Sequence, residues 1–251
     1  KMIKIVLLGA GNLGHHFQKL FHEAENVDLV QWYNRDLNAI EFAEKDTKIT
    51  NILTQLEDAD LYIIAVSDNS IAKVSSQMNR QRLVVHCAGG VDMKILESGG
   101  RKGVFYPLQT FTKSHELSFK DLPICIEAED EKDKITLFSL AKELGALPYE
   151  MNSSQRGILH LTAVFINNFG NHLFNIGNKI AKSNNIPFEI LNPIILETAK
   201  KAIAQGPEMS QTGPAIRNDE NTIKKHLDLL ENTQYKELYL TLTASIKQNN
   251  E

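Results

Sequence analysis

The sequence predicts an α/β protein with a doubly wound, mostly parallel sheet, followed by a smaller all-helical domain. Short apolar runs alternate with helical patterns over the first part of the chain, which is typical of parallel strands joined by helices. A glycine-rich turn joins the first run to the first helical pattern. Beyond residue 152 only helical patterns follow. We therefore divide the chain into a sheet domain, residues 1–152, and a helical domain, residues 153–251.

The first strand and the turn after it are the most informative stretch. The run Ile3–Leu8 is short, apolar and rich in β-branched residues, as in a buried parallel strand. Helical spacing of apolar residues begins directly afterwards, with Phe17 and Phe21 on one face. A strand, a glycine-rich turn and a helix in this order are typical of the phosphate-binding turn of a dinucleotide fold. The turn reads Gly9-Ala10-Gly11-Asn12-Leu13-Gly14.

Each glycine of this turn has a physical role. Gly9 allows the tight turn, Gly11 lets a pyrophosphate approach the backbone, and Gly14 lets the helix pack closely on the strand. The helix directs its free N–H groups and the positive end of its dipole at the phosphates. We expect Asn12 and Leu13, which open the helix, to contact the cofactor as well. The alternative is a glycine-rich turn that binds nothing.

The second strand predicts which dinucleotide is bound. Val27–Tyr33 alternates like a strand and ends at Asn34 and Arg35, about 20 residues after the turn, where the ribose-reading residue belongs. An acid there would select NAD, whereas a guanidinium pairs with a 2′-phosphate. We therefore expect NADP(H), held by Asn34 and Arg35. In the competing register Asp36 reads the ribose, but we favour Asp36 as the N-cap of a helix over 37–44. Arg35 as an ordinary exposed charge is the other alternative.

Two further strands are expected to border the cofactor. The runs 59–66 and 82–87 are apolar, and each ends in small or polar residues. In an open α/β sheet the ligand lies beyond the carboxyl ends of the strands. Ser67 and Asp68 are expected to cap a helix over 69–78. The expected contacts with the dinucleotide and its nicotinamide are Val66, Ser67, His86, Ala88 and Gly89. His86 could equally be a buried strand histidine with satisfied nitrogens.

The sheet domain is completed by strands at 103–111, 123–128 and 148–151 and by a helix over 131–144. Pro107 favours a strand end or an edge for the first of these strands. Tyr106, Gln109 and Thr110 could reach the ligand cleft or be ordinary loop residues.

A long helical pattern opens the second domain and runs from residue 154 to about 183. It carries a broad apolar surface, and its length favours burial against neighbours that include a second subunit. His160, Asn167 and Asn171 fall at i, i+7 and i+11 and share one stripe, with Asn168 beside them. We expect the stripe to face the nicotinamide. The alternatives are satisfied core polar groups or a solvent-exposed face. Shorter helices are expected over 187–204, 219–231 and 233–248.

Composition narrows the classes of function. The chain has 251 residues and a net charge of -4, with no basic block for nucleic acid or a membrane surface and no apolar run long enough to span a bilayer. The first strand begins at Ile3, so we expect no signal peptide and a cytoplasmic protein. Cys87 and Cys125 lie in apolar runs, and we expect both to be buried core residues without a disulfide or a metal.

The whole layout resembles a Rossmann-like family with a helical C-terminal domain of originally unknown function, whose members are labelled NADP oxidoreductases. This family is similar to the deazaflavin-dependent NADP oxidoreductases and distantly to pyrroline-5-carboxylate reductases and 6-phosphogluconate dehydrogenases. The resemblance implies NADP-linked oxidoreductase activity and a homodimer built through the helical domains. The stretches that carry it are the glycine turn, Asn34-Arg35, His86-Cys87-Ala88-Gly89, 105–111, 160–171 and 213–219.

One departure from the hydroxyacid dehydrogenase relatives concerns the long helix. Those relatives place a catalytic lysine there, whereas this chain has His160, Asn167 and Asn171, and its nearest lysine, Lys179, comes late. We therefore expect NADP(H)-dependent hydride transfer to or from a small carbonyl or imine in the interdomain cleft. His160 supplies the proton, and Asn167 or Asn171 polarises the acceptor. The alternatives are a non-catalytic NADP(H)-binding sensor and a dimerisation scaffold with a degenerate nucleotide fold.

Overall fold

A computed structural model describes residues 2–43, 46–78 and 81–248. Within these residues eight strands form one sheet in the order β3-β2-β1-β4-β5-β6-β7-β8. Neighbouring strands are parallel except β6 and β7, which are antiparallel. The strands are β1 (Ile3–Leu8), β2 (Val27–Tyr33), β3 (Lys48–Thr50), β4 (Leu61–Ile64), β5 (Leu83–His86), β6 (Arg101–Pro107), β7 (Pro123–Ala128) and β8 (Leu147–Glu150).

The α-helices follow the alternation that the sequence predicts, and a π-helical segment, Val164–Phe169, lies between α4 and α5. No described helix is both long and apolar enough to cross a membrane. The α-helices are α1 (Asn12–Glu23), α2 (Ile71–Ser76), α3 (Glu131–Glu143), α4 (Ser153–Ala163), α5 (Gly170–Ser183), α6 (Asn192–Gln205), α7 (Glu220–Leu229) and α8 (Lys236–Gln248).

The chain divides into two compact units, Lys1–Phe165 and Ile166–Glu251. The first unit holds the sheet, and the second is all helical. The predicted doubly wound, mostly parallel sheet followed by a helical region is confirmed. The boundary between these two units follows Phe165 and not residue 152. The reason is that side chains of α4 bind it to the sheet unit. The domain boundary at residue 152 stays a prediction.

Several predicted helices differ in the structure. The helix over 37–44 is a three-residue 3-10 turn, Leu37–Ala39, and residue 44 lies outside the described residues. The helix over 69–78 is a 3-10 turn followed by the short α2, and Ser67 makes no side-chain cap bond. Its hydroxyl is instead 2.9 Å from that of Ser70. The short edge strand β3 was not predicted, because three residues carry too little periodicity.

The core lies on both faces of the sheet. The side chains of Ile5 and Leu7 in β1 belong to a cluster with the apolar faces of α1 and α3. Val6 and Leu8 point to the opposite face and belong to a second cluster that includes residues of α2. Because both faces are covered, the inner strands are apolar without alternation, which is the pattern that the sequence shows.

The start of α4 is fixed to the sheet by a buried arginine. Arg156 is fully buried, and its guanidinium pairs with the Glu127 carboxylate of β7 and donates to the Val91 carbonyl. The Ser153 hydroxyl joins the same network, since it donates to Glu127 at 2.7 Å and accepts from Arg156 at 3.1 Å. The direction of α4 is therefore set within the sheet unit.

His86, at the end of β5, is fully buried. Its Nδ1 accepts a hydrogen bond of 3.1 Å from the Ala88 N–H. Burial, and then the nearby Arg156 charge, lower the pKa of His86 to about 4, although the neighbouring Asp92 acts in the opposite direction. The ring is therefore neutral at physiological pH.

The two cysteines are free. Cys125 is buried in β7, as predicted, and burial raises the pKa of its thiol. Cys87 differs from the prediction, because it is only half-buried and borders a cavity described below. Burial also raises the pKa of the Cys87 thiol.

We expect acid to destabilise the protein through His86. Its folded pKa of about 4 lies below the ordinary 6.5, so the unfolded chain takes up a proton that the folded chain does not. This contribution to stability is complete above about pH 6.5 and is lost as the pH falls toward 4, with a loss of about 2 kcal/mol by pH 5. Urea unfolding at pH 7 and at pH 5 measures the loss. His86→Gln is the control, and an undiminished loss in that variant would contradict the assignment.

Candidate functional site

A cavity of about 560 Å³ lies at the carboxyl ends of β1, β2, β4 and β5. The strand order reverses between β1 and β4, and open α/β sheets bind ligands outside the strand ends at such a switch point. The lining residues come from the glycine turn, the ends of these strands, α2 and the 3-10 turns Leu53–Gln55 and Asp68–Ser70. They are Gly9, Ala10, Gly11, Asn12, Leu13, Tyr33, Asn34, Arg35, Leu53, Ala65, Val66, Ser67, Asp68, Ser70, Lys73, Val74, Gln77, Cys87 and Ala88.

The glycine turn fits only glycine at two positions. Gly9 has φ of +112°, and a Cβ there would lie 2.3 Å from the Ala65 carbonyl oxygen. A Cβ on Gly14 would lie 2.3 Å from the Gly9 carbonyl oxygen. At Gly11 a Cβ would meet no described atom within 4 Å, so this part of the turn faces open space. The turn is held from below by the Trp32 indole, whose Nε1 donates to the Gly9 oxygen at 2.8 Å.

The start of α1 is open to an anion. Gly11 is the N-cap residue and provides no side-chain cap, and the first turn of the helix carries no acidic residue. The first N–H groups of an uncapped helix seek an acceptor, and the helix dipole adds positive potential there. Phosphate groups satisfy both. The open face at Gly11 and the uncapped helix therefore fit a dinucleotide pyrophosphate.

The end of β2 distinguishes the two registers considered for the ribose. Arg35 lines the cavity and is exposed, and it forms no ion pair within the described part of the chain. Asp36 does not line the cavity, and its carboxylate accepts from the Asn38 N–H at 3.1 Å. Asp36 is thus an N-cap, as the sequence predicts. Asn34 lines the cavity, and its side-chain amide donates to the Asp36 carbonyl.

Lys73 is a second cation of the cavity that sequence reasoning missed. It is exposed, and none of the ion pairs among the described residues includes it. Ser70, Lys73, Val74 and Gln77 all line the cavity. Their spacing of i, i+3, i+4 and i+7 is that of one helix face, so the pattern could have indicated them. The charged lining residues are Arg35, Lys73 and Asp68, so the cavity wall has a net positive charge.

Most of the predicted cofactor residues line the cavity, and three do not. Gly14 is covered by the backbone of Gly9. His86 is fully buried, so its ring cannot contact a ligand in the cavity. Gly89 is covered by two aromatic rings described next. The predicted residues among the lining set are Gly9, Gly11, Asn12, Leu13, Asn34, Arg35, Val66, Ser67 and Ala88.

His160 lies over the end of β5 together with Tyr106 of β6. The His160 Nδ1 is 3.2 Å from the Tyr106 hydroxyl, and the ring centroids are 6.1 Å apart in an edge arrangement. A Cβ on Gly89 would lie 2.6 Å from Tyr106 Cζ and 2.7 Å from His160 Nδ1. Since Gly89 follows Ala88 of the cavity wall, the pair lies beside the cavity within the sheet unit.

Asn167 and Asn171 belong to the helical unit, and both are exposed. The predicted stripe assumed an uninterrupted α-helix from His160 onward. The π-helical segment Val164–Phe169 interrupts that period, and its wider turns change the angle between residues before and after it. Their predicted roles stay predictions.

The comparisons with known proteins agree with this geometry. The chain is 37% identical to a "putative NADP oxidoreductase" of Bacteroides fragilis, with 98% of each chain covered and a TM-score of 0.88. Residues 122–246 match a family described as a domain of unknown function, DUF2520. No curated protein matches the chain.

Two more distant solved structures share the fold. A Thermotoga maritima protein is 19% identical, with 98% of each chain covered and a TM-score of 0.75. A pyrroline carboxylate reductase of Plasmodium falciparum, solved with NADP bound, is 14% identical, with 100% of this chain and 98% of that chain covered and a TM-score of 0.57. With 37% identity to the Bacteroides fragilis protein over nearly all of both chains, the chain belongs to the family of Rossmann-fold NADP oxidoreductases with a DUF2520 domain.

Proposed function

We propose that the chain is an NADP(H)-dependent oxidoreductase that transfers a hydride to or from a small carbonyl or imine. One observation carries the proposal: the cavity at the switch point joins an uncapped helix start to Arg35, which forms no ion pair with any other described residue. The turn of Gly9 and Gly11 would hold the pyrophosphate, and Ala88 would border the nicotinamide. The bound cofactor supplies the hydride, and the protein supplies orientation and a proton.

The preference for NADP(H) over NAD(H) follows from charge. The acid that would select an unphosphorylated ribose is engaged elsewhere, since Asp36 caps a 3-10 turn. Arg35 and Lys73 are two cations that line the same cavity. A 2′-phosphate carries negative charge and several acceptor oxygens, which a guanidinium matches with more than one donor. The name of the Bacteroides fragilis relative supports the same cofactor.

His160 supports the chemical step. A histidine changes charge near neutral pH, so it can store and release the proton that accompanies hydride transfer. It is half-buried, so solvent can replenish that proton. The assignment of Asn167 or Asn171 as the polarising group stays a prediction from the sequence.

The helical unit is proposed to form a homodimer. It leaves many large apolar side chains exposed in the single chain, and such patches usually mark a protein interface. The unit Ile166–Glu251 by itself exposes Phe169, Leu173, Phe174, Ile190, Ile194, Leu196 and Ile203, with Ile203 at 86%. A second copy of the chain would cover them, because identical apolar faces complement each other around a two-fold axis.

Titration of the purified protein with NADPH and NADH tests the cofactor. We expect NADPH to bind roughly ten-fold or more tightly, because an arginine–phosphate bond contributes on the order of 1.5–3 kcal/mol. Arg35→Ala should remove most of that preference, and Lys73→Ala a smaller part. Arg82→Ala is the matched control, since Arg82 is exposed and lies outside this cavity. NADH preference in the wild type would contradict the proposed ribose register.

Replacement of His160 tests the chemical role. His160→Ala is expected to lower kcat on the order of 100-fold or more, since a general acid or base contributes that much. NADPH affinity should change little, because His160 does not line the cavity. NADPH oxidation with a panel of carbonyls and imines measures kcat, and His115→Ala of an exposed loop is the control. NADPH binding without turnover of any panel member would favour the non-catalytic sensor.

Light scattering after gel filtration tests the dimer. The wild-type chain is expected to run at twice its 28.2 kDa mass, and Ile194→Glu or Ile203→Glu should give monomers. Burying a carboxylate in an apolar interface costs more than the interface gains from its neighbours. Ile135→Glu is the control, because Ile135 is 60% exposed on α3 of the other unit. A monomeric wild-type chain at micromolar concentration would refute the proposed dimer.

A further inference from the structure

Three segments of the sheet unit meet at the hydrogen bond between Tyr106 and His160. Gly89 follows β5, Tyr106 lies in β6, and His160 lies in α4. The hydrogen bond between the Tyr106 hydroxyl and His160 Nδ1 passes directly over Gly89, where a Cβ would lie within 2.8 Å of both bonded atoms. The missing side chain at residue 89 therefore makes room for this bond.

The two nitrogens of His160 have different surroundings. Nδ1 is bonded to Tyr106, whereas Nε2 has no hydrogen-bond partner in the part of the chain that the structure describes. Nε2 lies above Gly90, because a Cβ on that exposed glycine would be 3.9 Å away from it. Nδ1 is thus directed at the tyrosine, and Nε2 is left to solvent.

Tyr106 packs on Gly89, directly after Ala88 of the cavity wall. It stands near the carboxyl end of β6, at the same edge of the sheet as the cavity, because β5 and β6 are parallel. Its side chain is half-buried. Burial raises the pKa of Tyr106, and Cys125 and then Asp68 of the cavity wall raise it further, with Arg156 acting weakly in the opposite direction.

A tyrosine in this setting needs a partner to act as an acid. A phenol with a raised pKa keeps its proton at neutral pH, and a lone tyrosinate left behind would be costly in a half-buried site. A histidine bonded to the phenol oxygen removes that cost if it passes on its own proton in the same step. The hydrogen bond of 3.2 Å to His160 Nδ1 provides that path.

We propose that Tyr106 is the catalytic residue that gives the proton to the substrate, and that His160 reloads it through Nδ1. This inference rests on the proposed oxidoreductase function. In reduction, the hydride of NADPH forms the new C–H bond at the substrate carbon, and the two electrons of the C=O or C=N bond move to the heteroatom. The Tyr106 O–H proton bonds to that heteroatom, the Nδ1–H proton of the imidazolium moves to the phenol oxygen, and NADP⁺ and neutral His160 remain. Solvent then returns one proton to the pair.

We call this path of the proton, from His160 through Tyr106 to the substrate, the relay. It predicts that the two side chains act as one unit. Tyr106→Phe removes only the hydroxyl and keeps the ring over Gly89, so the fold should be retained. We expect it to lower kcat on the order of 100-fold, as His160→Ala does, with NADPH affinity unchanged. The double variant should be no slower than either single variant, because groups that act in series lose their function together. Tyr149→Phe is the control, since Tyr149 is exposed on β8.

A second readout needs neither cofactor nor substrate. In ¹⁵N-labelled protein above the histidine titration range, the relay predicts the Nε2–H tautomer for His160, with Nδ1 as the acceptor of the tyrosine proton. Tyr106→Phe should shift the His160 Nδ1 resonance toward that of an unbonded nitrogen, and Tyr149→Phe should leave it in place. The His160→Ala spectrum assigns the signal.

The outcomes separate the relay from the function on which it rests. Full turnover in Tyr106→Phe, additive losses in the double variant, or an unchanged Nδ1 resonance would each overturn the relay while NADPH binding and turnover by the wild type stand. A wild-type protein that binds NADPH and turns over no panel member would overturn both, and the bond would then be structural.

Discussion

The close approach of Gly9 to Ala65 is the contact on which the candidate site depends. The chain leaves β1 at the point where the strand order reverses, and the backbone of Gly9 lies against the end of β4. There is no space for a side chain at this contact, and Trp32 fills the volume beneath it while bonding to the Gly9 oxygen. Any added atom would displace the start of α1. The candidate anion site consists of that helix start. A change in the position of the glycine turn would therefore change the site as well.

The position of His160 depends on a buried ion pair whose two residues do not line the cavity. Arg156 joins α4 to Glu127 of β7, and His160 follows one turn later on the same helix face. Breaking one partner of a buried pair leaves an uncompensated charge and costs on the order of 3–5 kcal/mol. The position of the imidazole over Gly89 is therefore set by groups in the core of the sheet unit. The proposed chemistry and the stability of the sheet unit therefore depend on the same network.

The structure agrees with the sequence-based predictions for features that depend on neighbouring residues. It differs for features that depend on contacts between distant residues. The apolar run of β1, the alternation of β2 and the turn between Gly9 and Gly14 each show their pattern within a few residues, so their places could be predicted. The capping role of Asp36 is equally local. The pairing of Tyr106 with His160 spans 54 residues, and no periodicity reports such a contact. A buried arginine is also hidden, because arginine is usually exposed and its burial depends on a distant acid.

Features of the predicted site that depend on distant parts of the chain are harder to predict for the same reason. His86 was placed at the cofactor because it ends a strand, but its side chain points into the core instead. The roles of His160, Asn167 and Asn171 stay predictions, and the sequence carries no marker for the π-helical segment that lies within their stretch. The sequence could have indicated Lys73. Its helical spacing from the other lining residues of this segment is visible once the strand is known to end before Ser67.

The uncapped start of α1 links the lifetime of the folded protein to its ligand. The N-cap residue Gly11 offers no side-chain oxygen to the first N–H groups of this helix. An anion that binds the folded chain and not the unfolded one adds free energy of folding, about 2.7 kcal/mol at a hundred-fold excess over Kd. Proteases that attack the unfolded chain would then remove ligand-free copies first. Cellular abundance of the protein would follow the supply of dinucleotide without any dedicated regulator.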